Sequence, residues 1–439
     1  MKLWIIAAGS VLLVGLFCLG LYFHLTITGA RLFDRITGGS EPTRQALVQL
    51  MKVYDLPYLL VAWAQKDQLP EYNLVIDPAD LNFLNTNLPQ SGLLTEAYKQ
   101  FVPAEFMFEG KSYPVKVRYR GDKPNHWKFK KKSWRIVFGG ETPVKGIARL
   151  NLILPEDRDF YSEAVGLFVA KRLGLFWLRN DFVKLKVNGK SMGVYFAVEQ
   201  WSQEALVNNG FNPDTNLYGE ASGEEFAENL YASSKFFKKY VSYSRLPEDN
   251  KEDLDKLLIY LTMDDKEAFK GLPEVLDINK FLTWQAHSQV LFNYNPGMTH
   301  NANLVMNRDT GKLEFLPWDV AMRNPDGYSI HETGLYNPVA QKVLANPAWL
   351  CQRDKILLDY SSNSQNLIET VAYLDSLYQQ TRWAIYQDGQ KLFLNLDLDI
   401  RYRMLRSWLI KGHEKIKQAT LESVQQCQES ELSTYQRSD

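Results

Sequence analysis

The most informative segment of this chain is His300-Asn301-Ala302-Asn303-Leu304-Val305-Met306-Asn307-Arg308-Asp309-Thr310-Gly311-Lys312-Leu313-Glu314-Phe315-Leu316-Pro317-Trp318-Asp319. Its two apolar runs flank a turn with Gly311, and this pattern predicts a β-hairpin. The hairpin brings Asn301 and Asp319 together, and an amide oxygen beside a carboxylate suits a magnesium ion held against phosphates. Asn and Asp are also ordinary turn residues, so turn chemistry stays open as the alternative.

The composition indicates a folded protein with a substantial core. The chain has 439 residues, 45% hydrophobic and 13% aromatic, enough for one large or two ordinary domains. Its 50 Lys and Arg nearly cancel its 51 Asp and Glu, so the overall charge indicates no nucleic acid as a partner. The Cys and His spacing lacks a zinc pattern, and no Gly-x-Ser-x-Gly motif indicates a serine hydrolase.

The amino terminus predicts a membrane anchor. The run from Leu3 to Phe23 is apolar with one exception, which is long enough to cross a hydrocarbon core of about 30 Å. We predict an uncleaved single-pass transmembrane helix at residues 1-27, because Thr28-Gly29-Ala30 is a poor signal-peptidase site. A short leader with Lys2 usually stays in the cytoplasm, so we expect the remaining domain to be extracytoplasmic.

Two cysteines, Cys351 and Cys427, lie outside the predicted anchor. Two are too few for a disulfide framework. One bridge between them is compatible with an oxidising compartment. Free buried thiols are the simpler prediction, and the bridge stays open as the alternative.

The rest of the chain divides into a strand-rich part and a helical part. Residues 28-70 mix short apolar runs with charge and predict a stalk or linker. Alternating runs over 71-220 predict a β-rich lobe, in which Asn188-Gly189 is a strong hairpin signal. Helical periodicity prevails over 221-428, and the polar residues 429-439 predict a disordered tail. This is an α+β arrangement with a cleft between its lobes, as in protein kinases.

Five motifs, each weak alone, occur in an order that resembles one family. They are Arg120-Gly121 with Lys131-Lys132-Ser133-Trp134-Arg135, Leu150-Asn151-Leu152 with Glu156-Asp157, Val187-Asn188-Gly189 with Gly193-Val194-Tyr195 and Glu199, Asn216-Leu217-Tyr218, and His300-Asn301 with Pro317-Trp318-Asp319. From roughly Tyr72 to Tyr360 the chain resembles the CotH family of spore-coat kinase-like proteins. The resemblance implies an atypical protein-kinase-like two-lobed fold over 71-428, with a β-rich N-lobe and a helical C-lobe behind the transmembrane helix.

The resemblance also implies a chemistry, in which ATP and Mg²⁺ or Mn²⁺ are used to phosphorylate Ser or Thr of a protein partner, here an envelope or coat protein. Asp319 and Asn301 are similar to the family's metal ligands. Lys132, with Lys131 as the fallback, is similar to the lysine that contacts the α- and β-phosphates. The Arg120-Gly121 turn is similar to the loop that covers the triphosphate.

Charged residues elsewhere have two interpretations each. The basic run from Lys123 to Lys132 supplies the positive charge that a transferring phosphoryl group needs. A solvated hairpin or a contact with anionic lipid is the alternative. Glu163, on a helix predicted from Tyr161 to Leu173, lies where a kinase places the glutamate that orients its lysine. Glu199 is either an adenine-side contact or helix anchor, or an ordinary salt-bridged carboxylate.

The chain departs from the family at two positions. Asn295 stands where the family usually has an aspartate before its His-Asn pair, and an amide cannot accept a proton. Ala321 replaces a second acid, for which Asp326 could substitute. The chain is therefore predicted to be an active kinase, in which Asn295 orients the acceptor, or a catalytically degenerate pseudokinase that binds an envelope partner. A third, polysaccharide- or polyphosphate-binding role is suggested by the aromatic residues and the basic loop.

Overall fold

A computed structural model describes residues 52–90, 92–221, 229–297, 299–327, 329 and 337–435. The predicted anchor at residues 1-27 lies outside this part of the chain and stays a prediction. Within the described ranges, no helix has the length and apolar character that crossing a membrane requires.

Seven strands close into a barrel. They are β1 (Glu71–Val75), β2 (Val102–Phe108), β3 (Lys111–Tyr119), β4 (Trp134–Phe138), β5 (Arg149–Ile153), β6 (Asn180–Val187) and β7 (Lys190–Glu199). The order is β1-β2-β3-β4-β5-β7-β6, and parallel pairing of β6 with β1 closes the barrel. Phe106, Trp134 and Tyr195 help to fill its interior. The mostly antiparallel strands agree with the predicted β-rich lobe.

The alternation of side chains along β3 and β4 determines which residues face the outside of the barrel. Val117, Tyr119, Trp134 and Ile136 belong to the interior cluster. Because successive side chains of a strand point to opposite faces, the residues between them face outward. The outer face of these two strands therefore carries arginines, including Arg118.

A second sheet contains the hairpin predicted between His300 and Asp319. It consists of β8 (Leu217–Glu220), β9 (Phe237–Val241), β10 (Asn303–Asn307) and β11 (Lys312–Leu316), in the order β11-β10-β8-β9. The predicted hairpin is confirmed, with Leu304 opposite Phe315. Strand β8, from the predicted β-rich lobe, pairs with β9 and β10 of the predicted helical lobe. The sheet thus crosses the boundary predicted at residue 220, because Tyr218 shares a core with Leu304 and Phe315.

Helices make up most of the remaining described chain. They are α1 (Leu56–Trp63), α2 (Pro78–Thr86), α3 (Ser162–Arg172), α4 (Gln203–Asn208), α5 (Glu252–Thr262), α6 (Asp265–Val275), α7 (Ile278–Val290), α8 (Pro338–Leu344), α9 (Pro347–Ser362), α10 (Ser364–Tyr386) and α11 (Asn395–Tyr435). Short 3₁₀ helices are Lys52–Asp55, Glu96–Tyr98, Pro124–His126, Pro155–Arg158, Leu230–Ala232, Ser234–Phe236, Asn295–Gly297 and Pro325–Gly327. The helix predicted from Tyr161 is confirmed as α3. Helix α11 continues to Tyr435, into the segment predicted to be a disordered tail.

The described part of the predicted stalk packs against the domain. Ala62 of α1 is buried, and its carbonyl oxygen accepts a hydrogen bond from Gln387 Nε2 at 2.6 Å. The Asp55 carboxylate accepts from the Asn395 backbone N–H at 2.7 Å and lies 3.3 Å from Lys391 Nζ. Residues 56–63 therefore contact the domain through Ala62, and the division into a stalk and a domain stays a prediction.

Cys351 of α9 and Cys427 of α11 form a disulfide, with a Cα–Cα distance of 6.1 Å. The prediction of free buried thiols was therefore wrong. The two residues are 76 positions apart, and they meet only because α9 and α11 pack side by side. Sequence spacing does not reveal that contact.

Candidate functional site

A cleft of about 620 Å³ lies between the outer face of the barrel and the second sheet. Five of the predicted site residues line it: Arg120, Gly121, Asn295, Asn301 and Asp319. They come from the end of β3, the loop before β10 and the loop after β11. The structure thus brings these residues together, while their chemical roles stay predictions.

The two predicted metal ligands share an unusual backbone conformation. Asn301 has φ of 59° and Asp319 has φ of 52°, both in the left-handed region. Asn and Asp enter this region more readily than other side chains, but it still costs on the order of 1 kcal/mol. Strain of this kind persists only where the surrounding structure holds the residue in place. The backbone at both residues is therefore held in a defined conformation beside the cleft.

Asp319 is held by two partners. Its Oδ1 accepts a hydrogen bond from Arg158 Nη1. Asn295 Nδ2 donates to the Asp319 carbonyl oxygen at 2.8 Å and lies 3.4 Å from Oδ2. Asn295 therefore orients Asp319 through its amide hydrogens, a role for which it does not need to accept a proton.

Arg158, a residue that the motifs did not identify, is the central cation of the cleft. Its Nε lies 2.6 Å from Glu163 Oε2 and 3.4 Å from Asp157 Oδ2, and its Nη1 pairs with Asp319. Burial acts to lower the pKa of Arg158, but the three carboxylates outweigh it and raise this pKa above the ordinary value. The guanidinium is thus permanently charged beside the predicted metal ligand.

Glu163 has an arginine as its partner instead of the predicted lysine. It lies in the first turn of α3, its side chain is 1% exposed, and it is paired with Arg158. Burial raises the pKa of Glu163, and Arg158 counteracts that rise. The 3₁₀ helix before α3 places Arg158 within reach of Glu163, and a role of Glu163 in orienting a phosphate-binding residue stays a prediction.

Neither predicted phosphate-binding lysine is among the described residues that line the cleft. Lys131 Nζ is buried, and it donates to Asp388 Oδ2 at 2.7 Å and to the Val194 carbonyl at 2.8 Å. Lys132 Nζ donates to the Phe129 carbonyl at 2.5 Å, and burial lowers its pKa to about 8. The loop before β4 thus uses both lysines for packing, and the structure does not support them as phosphate contacts.

Glu199 also lies away from the cleft lining. Its carboxylate is buried and pairs with Arg179, with Nη2 to Oε1 at 2.6 Å and Nε to Oε2 at 3.0 Å. Asn208 Nδ2 lies 3.3 Å from Oε1. Glu199 is therefore the salt-bridged carboxylate that the sequence left open as one interpretation, and the structure does not support an adenine contact.

The Arg120-Gly121 turn requires glycine for two reasons. Gly121 has φ of +88°, and a Cβ there would lie 2.2 Å from Cγ of His126. Only glycine accepts both conditions. The His126 ring has Nδ1 3.1 Å from Ser133 Oγ, and burial lowers its pKa to about 3. A neutral imidazole therefore packs beneath the turn that faces the cleft.

Glu220, at the end of β8, is an acid that the motifs missed. Its Oε2 accepts from the Asn301 backbone N–H at 3.1 Å, and its Oε1 lies 2.7 Å from His300 Nδ1. The pairing of β8 with β10 brings it there. The only available signal in the sequence was its position two residues after the Asn216-Leu217-Tyr218 motif.

The donors in the cleft fit a metal ion only together with phosphate. Within the described ranges, no three His, Cys, Asp or Glu side chains form a group that could hold a metal. Asp319 offers one carboxylate and Asn301 one amide oxygen. Mg²⁺ is commonly held by one or two carboxylates, with phosphate and water oxygens completing its shell. The donor set fits that use and not a permanent metal site.

The cleft is electropositive. Its lining carries eight Lys and Arg side chains against five Asp and Glu side chains. The chain as a whole carries a formal net charge of -1. This local excess of positive charge favours an anionic ligand, because walls of low dielectric focus the field of like charges into a cleft.

An α+β fold with an electropositive cleft between two sheets has the features that the motifs led us to expect of a kinase-like protein. The sequence profile of the CotH kinase protein family matches residues 117–385. The match covers more than half of the chain, so this chain belongs to the CotH family.

Individual proteins are similar as well. Inner spore coat protein H of Bacillus subtilis (strain 168) is 25% identical over 260 residues, which are 58% of this chain and 68% of that protein. Among solved structures, the Helicobacter pylori proinflammatory kinase CtkA matches with 12% identity and a TM-score of 0.24, over 74% of this chain and 96% of that chain.

Proposed function

We propose that this protein is a CotH-type protein kinase that transfers the γ-phosphate of ATP to Ser or Thr of an envelope or coat protein. The observation that carries the proposal is the convergence of Asn301, Asp319 and Arg158 on one electropositive cleft. Family membership supports the same chemistry. ATP and Mg²⁺ or Mn²⁺ are the cofactors that this proposal requires.

In this proposal Asp319 and Asn301 hold the metal, which neutralises charge on the β- and γ-phosphate oxygens when it is bound. Arg158 takes the role first predicted for Lys132 and stabilises charge on the transferring group. The Arg120-Gly121 turn covers the triphosphate. Asn295 positions Asp319 and the acceptor.

The transfer step itself needs little from the protein beyond positioning. The acceptor hydroxyl oxygen bonds to the γ-phosphorus, and the bond from that phosphorus to the ADP oxygen breaks. Because Asn295 cannot take the hydroxyl proton, that proton leaves to a phosphate oxygen or to water. Phosphoryl transfer depends mainly on positioning and charge neutralisation, so the reaction is slow but possible without a base.

A catalytically degenerate pseudokinase that binds an envelope partner is the second candidate. Two observations favour it: the amide of Asn295 is committed to Asp319, and Ala321 has no carboxylate where the family tends to have one. Ala321 contributes only its backbone N–H, which donates to Asn293 Oδ1 at 3.2 Å. In this case the domain would bind an envelope partner, and nucleotide with metal would leave its melting temperature unchanged.

The test incubates the purified full-length chain with labelled ATP, Mg²⁺ or Mn²⁺, and an envelope or coat protein fraction. Asp319→Ala should abolish the label, whereas Asp309→Ala, at the exposed hairpin turn, should keep it. Equal label with the wild type and Asp319→Ala would contradict the kinase proposal. Absence of label in every protein, together with a melting temperature that ATP and metal leave unchanged, would favour the degenerate candidate.

We infer that the domain acts outside the cytoplasmic membrane. The Cys351–Cys427 disulfide supports this location, because such bridges persist mainly in oxidising compartments. The similar Bacillus subtilis protein is a spore coat component by name, which agrees with an assembly at the cell surface or coat. A reporter fused after Asp439 that is active only in the cytoplasm would contradict the inference.

A further inference from the structure

Three arginines on the outer face of the barrel form what we call the arginine cluster: Arg118, Arg120 and Arg135. Arg118 of β3 and Arg135 of β4 are directly opposite each other in the strand pair. Arg120 follows two positions after Arg118 and therefore lies on the same face. All three line the cleft, and Arg118 and Arg120 are only 8% and 7% exposed.

None of the three guanidinium groups forms an ion pair with a carboxylate in the part of the chain that the structure describes. Arg135 donates to neutral amide oxygens, from Nε to Asn151 Oδ1 at 3.0 Å and from Nη2 to Gln200 Oε1 at 2.6 Å. Arg118 Nη1 donates to the Tyr119 carbonyl at 2.9 Å. Arg118 Nε, Arg120 Nε and Arg120 Nη1 are buried and have no hydrogen-bond partner among the described residues.

This arrangement is unfavourable for the protein alone. Like charges directly opposite in a strand pair are destabilising. Carboxylates nearby, such as Glu96 beside Arg118 and Asp157 beside Arg120, raise the pKa of these arginines less than burial lowers it, so the cost of burying the charges is only partly offset. Burial lowers the pKa of Arg118 to about 10, and burial together with the neighbouring arginines lowers the pKa of Arg135. Apolar side chains of similar size would pack on this face at lower cost. The arrangement is explained if an anion completes it.

We propose that the arginine cluster is a metal-independent binding site for a chain of phosphate groups, either free or as the tail of a nucleotide. Three guanidinium groups without an ion pair among the described residues carry more charge than one carboxylate or sulfate can match, but a di- or triphosphate can match it. Their planar N–H forks bind phosphate oxygens in pairs, which a lysine cannot do. The inference deepens the proposed function and rests on it for the nucleotide, while the anion site itself needs no transfer activity.

The first experiment measures binding to the full-length chain by calorimetry with metal removed by EDTA. The probes are inorganic triphosphate, ATP and adenosine. Triphosphate and ATP should bind and adenosine should not, and binding should weaken steeply between about 50 and about 500 mM NaCl because the charges are screened. ATP binding tighter than triphosphate would assign the site to a nucleotide. Absence of triphosphate binding at low salt would overturn the proposal.

The second experiment compares variants. Arg118→Met and Arg135→Lys should each weaken triphosphate binding at least about tenfold, because a guanidinium fork is lost in both. Arg245→Gln, at an exposed position, is the matched control and should bind like the wild type. Equal binding by all four proteins would overturn the proposal. Without ligand, Arg118→Met should melt no lower than the wild type, because the substitution removes a buried charge. An unchanged or higher melting temperature then shows that the variant is folded.

Failure of this site and failure of the kinase proposal are distinguishable. Asp319→Ala removes a predicted metal ligand but none of the arginine cluster. It should therefore retain metal-free triphosphate binding within about threefold while it loses phosphoryl transfer. If Asp319→Ala abolishes metal-free binding in a folded protein, the phosphate site depends on Asp319 and the arginine cluster is not the binding site.

Discussion

Asp319 and Asn295 show how much of this site depends on single side chains. The Asn295 amide holds the Asp319 backbone and lies 3.4 Å from its Oδ2. An aspartate at position 295 would put two carboxylates at this distance, which is costly unless a cation lies between them. The amide therefore makes the cleft stable without a metal, and it removes the proton acceptor.

We therefore predict that a carboxylate at position 295 restores a proton acceptor but makes the cleft less stable without metal. Asn295→Asp should raise the rate of labelling of a protein acceptor by about 10²-fold, because a carboxylate can accept the hydroxyl proton. The gain should require Mg²⁺ or Mn²⁺, and without metal the variant should melt below the wild type. Rates are measured with labelled ATP, and Asn295→Ala is the control that lacks both functions. A rate no higher than that of the wild type would contradict the prediction.

At the level of elements, helix α3 sets the position of the loop after β11. Gly166 of α3 packs directly on Val320, the neighbour of Asp319, and a Cβ at position 166 would lie 2.6 Å from Val320 Cγ1. His287 of α7 contacts the same turn, with Nε2 2.8 Å from the Gly166 carbonyl. The placement of Asp319 thus depends on helix packing as well as on the hairpin.

We therefore predict that Gly166→Ala displaces the Asp319 loop. The added methyl group should destabilise the protein by about 1–3 kcal/mol, the usual cost of overpacking. It should also weaken metal-dependent ATP binding. Both quantities can be measured by urea unfolding and by calorimetry. Gly139→Ala is the matched control, because a Cβ at Gly139 meets open space. Equal stability of the two variants would contradict the prediction.

At the level of the whole molecule, the disulfide connects the helical part over a long span. It links α9 to α11, two helices that pack against each other although they are distant in sequence. A bridge across 76 residues restricts the unfolded chain strongly. In an oxidising environment the helical half is therefore stabilised by the disulfide as well as by its core.

Reduction should consequently lower the free energy of unfolding by about 2–4 kcal/mol. Cys427→Ser should show the same loss without reductant and no further loss with it. Thiol titration of the unreduced, unfolded chain should find one thiol of the three cysteines, because Cys351 and Cys427 are paired. Three free thiols in protein purified from an oxidising compartment would contradict the prediction.

The sequence by itself determined the family, the strand-rich first half, the hairpin of β10 and β11, and the presence of Asn301 and Asp319 at one cleft. These features depend on local patterns: alternation, turn residues and ordered motifs, all of which are written along neighbouring positions. The Asn188-Gly189 turn was identified in the same way.

Only the tertiary structure decided which cations line the cleft. Arg158 and Asp319 are 161 positions apart, and Lys131 is paired with Asp388 across 257 positions. Sequence order places Lys131 and Lys132 beside the Arg120-Gly121 turn, yet packing directs them elsewhere. Long-range ion pairs and burial place Arg158 in the cleft and keep Lys131 and Lys132 out of it. The sequence could not show this, because neither ion pairing across such distances nor burial leaves a periodic signal in the chain.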